Sequence, residues 1–170
     1  MPPSPVSLNL PERALEGGLR LRRAGEADCA ALTGLALAAK AVWGYSAAFL
    51  EATYEDMAVT PARLAEELVL LVEEGELPLA LAAFGTWPET PAAAELTLAF
   101  VAPAAQGRGL GRILVEAVLA PLRAAGFRRL VVVSDPNAEG FYRRVGFRPE
   151  GLYRSPYVEG RTLPRLSRSL

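Results

Sequence analysis

The stretch Val101-Ala102-Pro103-Ala104-Ala105-Gln106-Gly107-Arg108-Gly109-Leu110-Gly111-Arg112 holds residues whose types and spacing suit one kind of chemistry. Gly107, Gly109 and Gly111 leave the backbone bare at alternate positions. Amide N–H groups there can approach an anion closely, because no Cβ stands in the way. An amphipathic run begins near Gly109, so the positive end of a helix dipole adds to those amides. Arg108 and Arg112 bring fixed charge to the mouth of the loop. Such a loop binds a pyrophosphate. The same residues exclude two nucleotide patterns. A Walker loop ends in Gly-Lys-Ser/Thr, whereas Gly111 is followed by Arg112 and Ile113. A dinucleotide fingerprint is spaced Gly-x-Gly-x-x-Gly, and here the third glycine comes one residue too early.

The missing residues narrow the remaining chemistry. The 170 residues include no histidine, which removes Ser–His–Asp and Cys–His catalysis and imidazole metal sites. Cys29 is alone, so no disulfide framework or cysteine-rich zinc site can form. Its alanine-rich setting reads as a small buried hydrophobe. The EF-hand spacing is also absent, and no metal is expected. Basic and acidic residues number 18 and 19, without the positive clustering on which nucleic-acid binding depends, so no nucleic-acid partner is expected. Carboxylates, tyrosines, arginines and backbone must do the work.

The elements that position these groups can be read from periodicity. Residues 1–18, with three prolines before Leu10, read as a flexible leader, and 19–170 as one domain. Leu19 to Arg22 alternates apolar and charged, as in a half-exposed strand. Glu26 to Lys40 is a helix, and Ser46 caps a second that runs to about Met57. Thr60-Pro61 starts a short third turn. Leu68 to Val72 and Leu77 to Phe84 are strands joined by a turn at Glu73 to Glu76, and Glu95 to Val101 is a third strand of this group. Leu110 to Ala125 is a helix closed by Gly126, with Pro121 expected to kink or shorten it. Leu130 to Val133 has the wholly apolar, β-branched look of a strand covered on both faces. Ala138 to Val145 is a brief helix closed by Gly146, for which Asn137 is a natural N-cap. Two short strands finish the chain. The order β-α-α-β-β-β-α-β-α-β-β predicts an α/β (α+β) domain with a central mixed, mostly antiparallel sheet and helices on both faces.

Gln106-x-x-Gly109-x-Gly111 resembles the Gln/Arg-x-x-Gly-x-Gly/Ala signature of the GNAT superfamily of N-acetyltransferases. Asn137-Ala138-Glu139-Gly140-Phe141-Tyr142-Arg143-Arg144-Val145-Gly146-Phe147 resembles that family's second element at matching distance. The resemblance implies acetyl-CoA as co-substrate, with Phe100, Val101 and Pro103 along its pantetheine arm. The N–H of Val101 would polarise the thioester carbonyl. Gln106, Gly107, Arg108, Gly109, Leu110, Gly111 and Arg112 would form the pyrophosphate loop, and Asn137 and Arg144 would add further contacts. It also implies Tyr142 as general acid for the departing thiolate. An attacking amine must be neutral, so a base is needed. Glu95, eleven residues before Gln106, resembles the catalytic glutamate of the histone-acetylating branch. A period of two places Thr97, Ala99 and Val101 on its face.

The expected reaction is acetyl transfer to a primary amine of a small molecule or peptide by direct attack. The alternative is a non-catalytic acyl-CoA-binding sensor. Trp43 and Tyr45, in the helix–turn–helix that borders the acceptor pocket in this family, are candidate substrate contacts. No run approaches 18 apolar residues and the first ten lack the features of a signal peptide, so a cytoplasmic protein without membrane contact is expected. The last strand offers an edge for a homodimer.

Overall fold

The computed structural model describes all 170 residues. Its strands are β1 (Arg13–Ala14), β2 (Leu19–Arg23), β3 (Leu68–Glu74), β4 (Leu77–Thr86), β5 (Ala93–Val101), β6 (Arg129–Val133), β7 (Arg148–Arg154) and β8 (Thr162–Ser169). Helices are α1 (Cys29–Ala41), α2 (Ala47–Ala52), α3 (Tyr54–Met57), α4 (Pro61–Glu66), α5 (Leu110–Ala124) and α6 (Glu139–Arg144). One eight-stranded sheet has the order β1-β2-β3-β4-β5-β6-β8-β7. Every pairing is antiparallel except β5 with β6.

The sheet is covered on both faces because β3 and β4 are apolar on both. Leu70, Val72, Ala82 and Phe84 point to the side where α5 brings Leu110, Leu114, Val118 and Leu122. Leu71, Leu81 and Ala83 point to the other, against Leu32, Leu35 and Ala36 of α1. Those α1 residues recur at the spacing of one helical face. Burying each leucine is worth about 2 kcal/mol, so packing rather than propensity fixes these helices. Ser46 caps α2 and Thr60 caps α4, each side chain accepting the amide three residues on.

Four expectations are corrected. The last strand offers no edge for a homodimer, because β8 lies between β6 and β7. The segment 1–18 is not a loose leader: Leu8 is buried in the core, the Arg23 guanidinium donates to the carbonyls of Val6 and Leu8, and Arg13–Ala14 pairs with β2. An apolar socket and a free strand edge order it. Glu73 is no turn residue but the buried end of β3, where Arg22 and Arg20 surround its carboxylate and hold it below the usual range. Only Gly75 and Glu76 make the turn. Pro121 does not shorten α5, which continues to Ala124. Val118 and Leu122, buried on either side of it, hold the last turn against the sheet despite the missing N–H.

A single irregularity shapes the functional side of the sheet. Phe84 pairs with Leu96 and Ala83 with Leu98, so Thr97 is an extra residue in β5. Before this bulge Ala94 and Leu96 face α5; after it Ala99 and Val101 do, while Leu98 faces α1. The faces of β5 exchange at Thr97.

Candidate active site

β5 and β6 pair only over Ala93 to Glu95, against Arg129 to Val131. Beyond that the strands part, and a cleft of about 420 Å³ opens beside the second half of β5. Ala99, Phe100 and Val101 form one wall, and Phe141, Tyr142, Arg144 and Val145 another. At one end lie Gln106, Gly107, Gly109, Leu110, Gly111 and Arg112. No side chain caps α5, so its first amides have no partner within the protein and remain available to an anion.

The three glycines serve two purposes. Gly107 and Gly109 have φ of 80° and 78°, a left-handed conformation that other residues adopt only under strain. Gly111 is ordinary helix, but a Cβ there would lie 2.8 Å from Cζ of Phe141. Its bareness lets α6 close over α5. Gly111→Ala is therefore expected to cost about 1–3 kcal/mol and to displace the Phe141 ring. A lowered unfolding midpoint with weakened coenzyme A affinity, measured by calorimetry, would be the signature.

Of the cofactor contacts expected from the sequence, Phe100, Val101, Gln106, Gly107, Gly109, Leu110, Gly111, Arg112, Asn137 and Arg144 line this cleft, as do Trp43 and Tyr142. Pro103 does not; it opens the single turn Pro103–Ala105 that puts Ala105 in the wall. Arg108 does not either, and pairs with Glu74 at 3.1 Å. Arg112 donates to the carbonyl of Arg144 at 2.9 Å, tying α5 to α6. Asn137 is not a cap. Asp135 is, accepting the Asn137 amide at 2.9 Å, because Pro136 takes the first helical position and leaves the residue before it to cap. The Asn137 side chain instead reaches the Asp135 carboxylate and the Tyr45 hydroxyl.

Tyr142 is 5% exposed, and its ring packs edge-on to Phe141 and Phe147. Burial, and then the charge of Asp135, push its phenol well above the usual range, so it keeps its proton at neutral pH. Glu95 is a different case. Burial, followed by the charges of Glu67 and Asp56, pushes its carboxyl up to about 7, against a smaller opposing effect of Arg63. It does not share a face with Ala99 and Val101, because the Thr97 bulge intervenes. Opposite Gly85, it belongs to the α1 side, where Thr97 donates to Glu67 at 2.5 Å.

A smaller pocket, of about 100 Å³, adjoins the cleft and shares Trp43, Ala99, Phe100, Ala138 and Tyr142 with it. Its polar lining includes Lys40, Asp56, Thr97, Asp135, Tyr157 and Arg161. Asp135 is its hub: it accepts from the Tyr45 hydroxyl at 2.7 Å and lies 3.1 Å from Lys40 Nζ and 3.5 Å from Arg161. Burial raises the Asp135 carboxyl, but the Asn137 amide, Tyr45 and Lys40 outweigh it and hold the group below its ordinary value. Tyr45 lines neither space; stacked on Phe49 at 4.1 Å, it braces the wall from behind.

A strand that parts from its neighbour, a bare loop and an uncapped helix together describe a site for a long phosphorylated ligand. The sequence profile of the acetyltransferase (GNAT) family matches residues 35–147. The chain belongs to that family. Over 47 residues it is 43% identical to serotonin N-acetyltransferase 2, chloroplastic, of Oryza sativa subsp. japonica. That stretch is 28% of this chain and 24% of the relative, so the match spans about a quarter of that protein's length. The fold is similar to the PaiA N-acetyltransferase of Thermoplasma acidophilum, solved in complex with coenzyme A, at TM-score 0.74 and 12% identity over 89% of this chain and 99% of that one. YncA of Salmonella typhimurium, solved with its cofactor acetyl-CoA, gives TM-score 0.61 and 24% identity over 90% and 94%. The GNAT sheet, parted at β5 and β6, is thus the frame on which this chain builds its own pocket.

Sequence reasoning missed most of that pocket's polar lining. Asp135 had a signal, since an aspartate before proline marks a helix start. Lys40, Asp56, Tyr157 and Arg161 had none. They converge from α1, α3 and the β7–β8 loop, and no local pattern records that meeting. No helix is long and apolar enough to cross a membrane.

Proposed function

We propose that the chain is an acetyl-CoA-dependent N-acetyltransferase that passes the acetyl group directly to a primary amine of a small molecule or peptide. One observation carries this reading: the cleft and the smaller pocket meet at Phe100 and Tyr142. A cofactor arm and an acceptor can therefore approach one point from opposite sides. Acetyl-CoA supplies the thioester whose carbonyl is the electrophile. The amides of Gly107 to Arg112 and the dipole of α5 hold the pyrophosphate. Backbone from Phe100 to Val101 aligns the arm, and the Val101 N–H steadies the carbonyl oxygen as charge develops there. Tyr142, protonated at working pH, gives its proton to the departing sulfur. Glu95 takes the acceptor's proton; it lies behind the pocket wall, so transfer runs through solvent beside Asp56 and Thr97.

The test is thermal unfolding with acetyl-CoA, with ATP and NADH as controls. At a hundredfold excess over Kd, binding adds roughly 2.7 kcal/mol. For a domain of this length the midpoint should rise by roughly 5–10 °C. A rise with acetyl-CoA alone is the expected result. Equal midpoints at saturating ligand would mean that the glycine loop is only a turn.

A further inference from the structure

Lys40 is the single lysine of the chain, and it occupies an unusual position. Its Nζ lies 5.8, 5.5 and 5.8 Å from the ring centroids of Trp43, Tyr45 and Phe49, and 3.1 Å from Asp135. Aromatic faces with a carboxylate are the chemistry that recognises an alkylammonium group. Lys40 also lines the smaller pocket beside Tyr142. Ala39, immediately before it, and Trp43, three residues after it, line the cofactor cleft. A lysine amine on a flexible four-carbon stem is thus held, 14% exposed, where an acceptor amine would have to sit.

We propose that Lys40 is an internal acceptor: with acetyl-CoA bound and no external amine present, the protein acetylates its own Lys40. This rests on the acetyltransferase reading given above. The Lys40 ammonium gives a proton to solvent through Asp135, and the neutral Nζ bonds to the acetyl carbon. The carbon–sulfur bond breaks with its electron pair on sulfur, which takes the Tyr142 proton, while Nζ releases its second proton to solvent. Coenzyme A thiol leaves, and Tyr142 regains a proton from solvent. The product is a neutral amide that can neither pair with Asp135 as a cation nor engage the three rings. Acetylation therefore releases the contact that ties α1 to the turn before α6.

The experiment incubates the full chain with acetyl-CoA alone and follows it by intact-mass and peptide mass spectrometry. Thiol release is followed in parallel, together with an external-amine assay and the unfolding midpoint. The expected result is one acetyl group per chain, on Lys40, with a single equivalent of thiol released at a first-order rate independent of protein concentration. Tyr142→Phe should slow this incorporation by about the factor, roughly 10²-fold or more, by which it slows external transfer. Lys40→Arg keeps a cation among the rings and should abolish incorporation with the fold intact. An unmodified Lys40 in a protein that acetyl-CoA stabilises and that turns over an external amine would overturn the proposal and leave the acetyltransferase reading standing. So would a rate that rises with protein concentration. If acetyl-CoA neither stabilises nor reacts, both fall together.

Discussion

Tyr142→Phe is expected to lower kcat by roughly 10²- to 10⁴-fold while leaving the affinity for acetyl-CoA nearly unchanged. The change removes one oxygen and keeps the ring that packs 5.1 Å from Phe141 and 5.5 Å from Phe147. Volume and rotamer are conserved, so the core and the cleft wall should survive. What is lost is a proton held in place at neutral pH by burial and by Asp135. Without it the sulfur must leave as an unassisted thiolate. Thiol-release kinetics with a calorimetric binding constant separate the two effects. Turnover close to that of the unaltered protein would show that the proton comes from elsewhere and that Tyr142 is only a core aromatic.

Glu95→Gln should move activity and stability in opposite directions. A base titrating at about 7 gives a kcat/KM that rises with pH through that value. The glutamine variant should lose that rise and fall by roughly 10²-fold near neutrality. Stability follows from the same group. The folded-state pKa lies above the ordinary 4.5, so between about 4.5 and about 7 the native state binds more protons than the unfolded one. Its stability falls as pH rises through this window, and the penalty is complete above it. Glutamine carries no charge to bury beside Glu67 and Asp56, so the variant should melt higher than the unaltered chain at alkaline pH and alike at acid pH. Midpoints measured on both sides of the window decide the point. A variant less stable than its parent above neutrality would mean that Glu95 is held by an attractive partner rather than strained by burial.

The parts of this protein that could be read directly are those in which a local rule acts alone. The bare glycine loop between strand and helix is one, and the cap at Ser46, which follows from side-chain chemistry within three residues, is another. The wholly apolar run at Leu130 to Val133 announced a strand covered on both faces, and Leu130, Val131 and Val132 are buried. Where a second rule competed, the reading slipped. Pro121 was expected to disrupt α5, but buried neighbours on the same helix outweigh one missing hydrogen bond. Glu73 carries charge at the end of an apolar run and reads as turn, yet Arg20 and Arg22 from β2 neutralise it in the sheet.

Chain chemistry alone determined the family resemblance and the bare glycine loop, because each depends on residues close in sequence. Tertiary structure decided the rest. The face of Glu95 turned on one extra residue, Thr97, whose presence is visible only against the register of β4. The carboxyl's elevated pKa depends first on its burial and then on Glu67 and Asp56, all supplied by other elements packed against β5. The smaller pocket joins side chains of α1, α3, β5 and the β7–β8 loop around Asp135. A strand's period of two is local, but register, burial and charge are properties of what lies across the gap, and only the folded chain supplies that neighbour.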